Sequence, residues 1–185
     1  MKNQRNLLDA FSCDMSLEYH FFEQYLTCAR TILDICFGSG RDSLYFKNKG
    51  YEVYSLDPTL EFCQNAKALG LKHIYQMKAQ DIKFKNIFDG IWACASLLHV
   101  PSNELNDTLK KCSDALKSKG IIYASFKYGN FEDQRNGRFF LDLDEESIKK
   151  YLIDTNLSII DTKITEDVRA NRNTKWLNLI LRKIN

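Results

Sequence analysis

The chain has 185 residues and is 44% hydrophobic, enough for one domain with a full core and too apolar for a disordered chain. Its 26 basic and 24 acidic residues nearly cancel and form no basic run or stripe, so no dedicated nucleic-acid surface is expected. Six cysteines show neither a C-x-x-C pair nor zinc-ligand spacing, and no stretch reaches the roughly 18 apolar residues of a membrane span, so we expect free thiols, no metal, no membrane and a cytoplasmic protein.

Asp14-Met-Ser16 offers helix caps, and Leu17, Phe21, Phe22, Tyr25 and Leu26 form the apolar stripe of a helix within residues 1–30. Ile32 to Phe37 reads as a buried strand carrying one acid, Asp34. Gly38-Ser39-Gly40 cannot continue it and predicts a tight turn into a helix that begins near Leu44 and stops at Gly50. A second strand, Glu52 to Leu56, ends at Asp57 and Pro58. A glycine turn lets a ligand approach the backbone, the helix start offers unpaired N–H groups, and an acid closing the next strand can accept both hydroxyls of a ribose. The unit therefore predicts a nucleoside-containing cofactor. A dinucleotide fingerprint is disfavoured, because Arg41-Asp42-Ser43 stands where its third glycine belongs.

Pro58-Thr59 opens a helix with Phe62, Cys63, Ala66 and Leu69 on one face, ended by Gly70. Residues 72–77 form a short strand, followed by the turn Ala79-Gln80-Asp81-Ile82. Phe88 to Cys94 is the fourth strand, and Ala95 to Pro101, with His99, the loop after it. A helix from Ser102 carries Leu105, Leu109, Cys112 and Leu116 and closes at Lys117 to Gly120. Ile121 to Phe126 is a buried fifth strand. Residues 127–143 hold polar and aromatic residues between Gly129 and Gly137, and Asp144 to Ser147 starts a last helix with Ile148, Tyr151, Leu152 and Thr155. The segment joining Leu157–Thr165 to Lys175–Leu181 is too short for a helical crossover, so these strands form an antiparallel hairpin.

The stretch around Asp34, Gly38 and Gly40 resembles motif I of class I S-adenosylmethionine (SAM) methyltransferases, with Cys36 at the place of the first glycine and Phe37 at a place usually small. The resemblance runs from about residue 14 to 183. The wording of Gly38–Phe46, Ala93–Pro101 and Gly137–Glu145 also resembles a small bacterial subgroup grouped loosely with tellurite-resistance-type methyltransferases. It implies a single α/β domain over 1–185: a three-layer α-β-α sandwich around a seven-stranded, mostly parallel sheet of order 3-2-1-4-5-7-6 with strand seven antiparallel. It implies a cap helix in 1–30 and an acceptor lid in 127–143. It also implies SAM as cofactor, with S-adenosylhomocysteine (SAH) as product, held by Asp34, Cys36, Gly38, Gly40, Asp57 and Pro58, by Asp81 and Ile82 at the adenine, and by Cys94 under the sulfonium.

A SAM-dependent methyltransferase acting on a small molecule is the first expectation. His99 and Tyr128 are the acid–base candidates, and Arg135 and Arg138 the candidates for holding an anionic or planar acceptor. The alternative is a weakly active or inactive module of the same fold that binds SAM, SAH or a protein partner. The acceptor and the oligomeric state are not fixed by these residues.

Overall fold

A computed structural model describes residues 13–169 and 172–184. The expectation for residues 1–12 of the N-terminal segment lies outside the described residues. The first helix, α1 (Ser16–Glu23), starts where Asp14 Oδ1 accepts the Ser16 N–H at 2.9 Å. It buries Tyr19, Phe21 and Phe22, while Leu17 is 66% exposed and Tyr25 and Leu26 follow the helix end. Leu17 therefore does not belong to the packed stripe.

Two strand–helix units and a third strand follow: β1 (Thr31–Ile35), α2 (Arg41–Asn48), β2 (Glu52–Asp57), α3 (Leu60–Ala68) and β3 (His73–Gln76). After a turn at Ala79–Asp81 come β4 (Phe88–Ala93), a 3₁₀ turn at Leu97–His99, α4 (Ser102–Ala115) and β5 (Leu116–Lys127). A small hairpin, β6 (Glu132–Arg135) with β7 (Arg138–Leu141), occupies the segment expected as a lid. A 3₁₀ stretch, Ser147–Leu152, leads to β8 (Leu157–Glu166) and β9 (Lys175–Lys183).

The main sheet has seven strands in the order β3-β2-β1-β4-β5-β9-β8. The β6–β7 hairpin forms a sheet of its own, so β8 and β9 are the sixth and seventh strands of the main sheet, and the expected order 3-2-1-4-5-7-6 holds in those terms. The first five strands run parallel, and β9 is antiparallel to both of its neighbours.

Alternation along the strands sends side chains to two cores. Ile32, Val53, Trp92, Tyr123 and Ile180 face α1 and α2. Leu33, Ile35, Ile91, Ile122, Leu179 and Leu181 face α4 and the 3₁₀ stretch. The layers are thus helix, sheet, helix, and each large apolar side chain removed from water contributes about 1.5–3 kcal/mol.

Among the boundaries that differ from the sequence reading, four bear on the fold. β1 stops at Ile35 because Cys36 turns left-handed (φ 57°). β4 likewise stops one residue before Cys94. Lys117 to Gly120 belongs to an irregularity inside β5, with Lys119 at φ 62°, and does not close a helix. The last expected helix is the 3₁₀ stretch, where Asp144 Oδ1 accepts N–H groups of Glu146 and Ser147 at 3.2 and 2.7 Å. Among the described residues no helix is long and apolar enough to cross a membrane.

Candidate active site at the carboxyl ends of the strands

β1 and β4 are neighbours, and each is followed by a left-handed residue without being glycine: Cys36 after β1 and, two residues beyond β4, Ala95 (φ 48°). Such conformations cost energy and concentrate at functional sites. The Cys36 N–H reaches Leu56 O at 2.7 Å, and the Ala95 N–H is accepted by Ser125 Oγ at 2.7 Å. The turn after Cys36 continues left-handed at Gly38 (φ 54°) and Gly40 (φ 87°). A Cβ on Gly38 would meet nothing closer than 3.9 Å, so the turn is open there, whereas one on Gly40 would sit 3.2 Å from Leu69. Gly40 is thus fixed by packing as well as by φ, and the chain enters α2 from it.

Asp57 ties this turn to the end of β2. Its Oδ2 accepts the Gly38 N–H at 3.1 Å and its Oδ1 the Thr59 N–H at 2.8 Å. Each oxygen keeps a lone pair beyond those bonds. Pro58 beside it is exposed. Asp81 is exposed and makes no side-chain hydrogen bond or ion pair among the described residues, while Ile82 is buried in the core.

Asp34 takes another part. It is 2% exposed, and its Oδ2 accepts the Ser43 hydroxyl at 2.6 Å, with Ser55 Oγ 2.8 Å further along. Burial, then the Asp42 carboxylate, pushes its pKa well above the usual carboxylate range. This acid anchors α2 against β1 and β2. Phe37 turns away from the open side and packs with Cys63, Ala66 and Leu71, so its bulk fills the layer under α3.

The Cys36 thiol is pushed up to about 12 by burial and by Asp57, and burial raises Cys94 still further. Both shifts favour the protonated thiol over the reactive thiolate. Cys94 lies just past β4, with Ser125 Oγ 3.9 Å from its sulfur. The Ser96 hydroxyl is buried and has no partner among the described residues.

His99 is the best-defined titratable group of the edge. Its Nδ1 lies 2.7 Å from the Phe139 carbonyl, and its ring sits edge-on to Phe140 at 4.8 Å. A carbonyl only accepts, so Nδ1 carries the proton and Nε2 the lone pair. Burial lowers the His99 pKa, the Phe139 carbonyl bond opposes this, and the Arg138 and Lys127 charges lower it further. The ring is neutral at pH 7.

The two arginines of the hairpin part company. Arg135 makes a bidentate pair with Asp142, at 2.9 and 2.6 Å, and stacks on Phe131 at 3.6 Å. Arg138 is exposed and carries no ion pair among the described residues, and its charge is felt at both Cys36 and His99. Arg135 therefore braces the hairpin through Asp142 and Phe131. Tyr128 is exposed and donates its hydroxyl to Glu145 at 3.0 Å, which raises its pKa. It joins no cluster with His99.

Sequence reasoning passed over Asp42. Its Oδ1 accepts Tyr19 Oη and Arg41 Nε, both at 2.6 Å, and its Oδ2 accepts Trp92 Nε1 at 2.9 Å and Arg41 Nη2 at 3.1 Å. One carboxylate thereby clamps α1, α2 and β4 together beside the glycine turn. No sequence signal marked it, because an acid in a first helical turn is ordinary.

Residues 33–124 match the family described as a methyltransferase domain. No curated protein matches the chain. Among solved structures, a SAM-dependent methyltransferase of Methanosarcina mazei is similar at TM-score 0.75 and 21% identity, covering 88% of this chain and 96% of that one. The Burkholderia thailandensis 1,6-didemethyltoxoflavin-N1-methyltransferase, with its substrate and SAH bound, gives TM-score 0.72 and 20% identity over 85% of this chain and 72% of that one. The [4+2]-cyclase SpnF has the same fold at TM-score 0.67 and 16% identity, over 83% and 74%, so likeness of fold alone does not fix the reaction.

Proposed function

We infer that this chain is a class I SAM-dependent methyltransferase and transfers a methyl group from SAM to a small-molecule acceptor. The observation that carries the reading is the joint between Gly38 and Asp57, where an open left-handed turn and a carboxylate with spare lone pairs meet at the carboxyl end of β2. Those residues fit the cofactor. Asp57 would accept the ribose hydroxyls, Asp81 and the Ile82 N–H would face the adenine, and the turn from Cys36 to Gly40 would admit the methionine part. SAM, when bound, supplies a methyl group already activated on a sulfonium. The protein's task is then chiefly alignment, worth up to about 7–11 kcal/mol for well-oriented groups.

His99 is the group we assign to proton transfer. Its neutral ring presents Nε2 as the free base, and Phe139 O fixes the tautomer, so a protonated acceptor can lose its proton there before or during attack. The hairpin carries Phe139, Phe140 and Arg138 to the same edge and would cover the acceptor. We take the protein to be cytoplasmic.

Calorimetry with SAH tests the reading. Wild type binds, and Asp57→Ala loses ~1.5–3 kcal/mol, the scale of hydrogen bonds to a charged group. A folded wild type that binds neither SAM nor SAH refutes it.

A further inference from the structure

Three positively charged side chains at the active-site edge have no acid of their own. Lys127 closes β5, and its Nζ lies 4.1 Å from the centre of the Phe140 ring. His99 packs on the same ring, so the ammonium and the imidazole both contact one aromatic side chain. Arg138 stands at the start of β7 and Arg172 beyond the end of β8; neither they nor Lys127 has an ion-pair partner among the described residues. The acids nearby are spent: Asp142 holds Arg135 and Asp167 holds Arg169, each through two bonds.

Resting on the methyltransferase reading, we propose that Lys127, assisted by Arg138, anchors an anionic oxygen group, carboxylate or phosphate, of the methyl acceptor, beside the Phe140 ring on which His99 also packs. A half-buried ammonium with no counter-ion is a costly arrangement unless a ligand completes it. The Lys127 charge is opposed by burial first and then by Arg135, Arg169 and Arg172, with Asp142 pulling the other way. An anion at this point relieves both strains. Phe140 keeps the ammonium in place by a cation–π contact in the free protein and offers the acceptor an apolar wall. The anchor and the base then bracket the acceptor, so that its reacting atom lies toward His99 and the turn at Cys36.

The methionine carboxylate of the cofactor is the competing anion, so the test must read cofactor and probe separately. SAH-saturated protein is titrated with inorganic phosphate, benzoate and benzylamine by calorimetry at fixed ionic strength. The expected result is that one anion binds at least about tenfold tighter than benzylamine, with Lys127→Met removing that preference and leaving the SAH Kd unchanged. Lys127→Arg restores most of it, and Lys72→Met, an exposed lysine ahead of β3, changes nothing. Preference for phosphate or for benzoate identifies the kind of anion. The wild-type comparison of anion with amine needs no variant, and Lys127→Gln replaces Lys127→Met should the latter not fold. Absence of anion binding, benzylamine binding as tightly as either anion, or unchanged anion binding in Lys127→Met overturns the proposal. A parallel loss of SAH affinity also overturns it, because it places Lys127 on the cofactor. Failure of wild type to bind SAH removes the methyltransferase reading and this proposal with it, whereas a SAH-binding protein blind to anions removes this proposal alone.

Discussion

Cys36 shows how one residue can be misjudged from its neighbours. Its side chain reads as the last but one of an apolar strand run, yet its backbone sits at φ 57°, where glycine is at ease and an L-residue costs roughly 1–2 kcal/mol. Cys36→Gly should therefore leave the melting temperature near wild type, the relief of strain offsetting lost burial and added chain entropy, and should tighten SAH binding by removing a side chain from the turn. A Cys36→Val variant, with a branched Cβ in the same conformation, should melt lower. Equal stability of both variants would argue against strain at this position. His99 carries the pH dependence at this scale. Its folded pKa lies below the ordinary 6.5, so the unfolded chain binds the proton more readily as pH falls. The stability it contributes is complete above that value and is lost below it. The urea midpoint should fall between about pH 7.5 and about pH 5.5, and His99→Gln should flatten part of that fall. An identical slope in the variant would mean that other groups carry it.

The β6–β7 hairpin is held less by its four-residue strands than by one guanidinium. Arg135 lies across Phe131 and grips the buried Asp142, which follows β7. Arg135→Ala should leave that carboxylate unpaired, at a cost of about 1–3 kcal/mol, and should speed amide exchange in both hairpin strands without changing the SAH Kd. Arg138→Ala is expected to behave in the opposite manner, with exchange unchanged and the acceptor KM raised. Both variants acting alike would mean that the hairpin contributes only as a unit.

At the scale of the whole molecule, the aromatic layer between α1 and the sheet joins parts of the chain that are far apart. Tyr19 stacks on Tyr45 at 3.7 Å, Trp92 stacks on Tyr123 at 4.1 Å, and Phe46 packs among Tyr19, Phe22 and Trp92. Asp42 is the polar centre of this layer. Asp42→Ala strands the Tyr19 hydroxyl and the Trp92 indole N–H together, so it should cost at least about 2 kcal/mol in urea unfolding. Asp42→Asn, which keeps one acceptor oxygen, should cost less. A neutral Asp42→Ala would mean that α1 is held by apolar packing alone.

The order of elements, the antiparallel last hairpin and the glycine turn after the first strand follow from local patterns: hydrophobic period, glycines that stop helices and a connection too short for a crossover; the parallel sheet is implied by the family resemblance. Such patterns depend on neighbours in sequence, so the chain declares them without its fold. The partners of side chains do not. Asp34 accepts from Ser43, whose hydroxyl also meets Ser55, Asp42 gathers Tyr19 and Trp92, Asp142 pairs with Arg135, and Lys127 lies over Phe140 without an ion-pair partner among the described residues. Each of these depends on which groups converge after the strands align, and a hydrogen bond or an unpaired charge is decided by distances of a few ångströms between residues that sequence spacing does not relate. Hence the glycine turn and the acid closing the second strand are legible in the sequence, while the pairing of Arg135 with Asp142 and the unpaired charge of Lys127 belong to the tertiary structure.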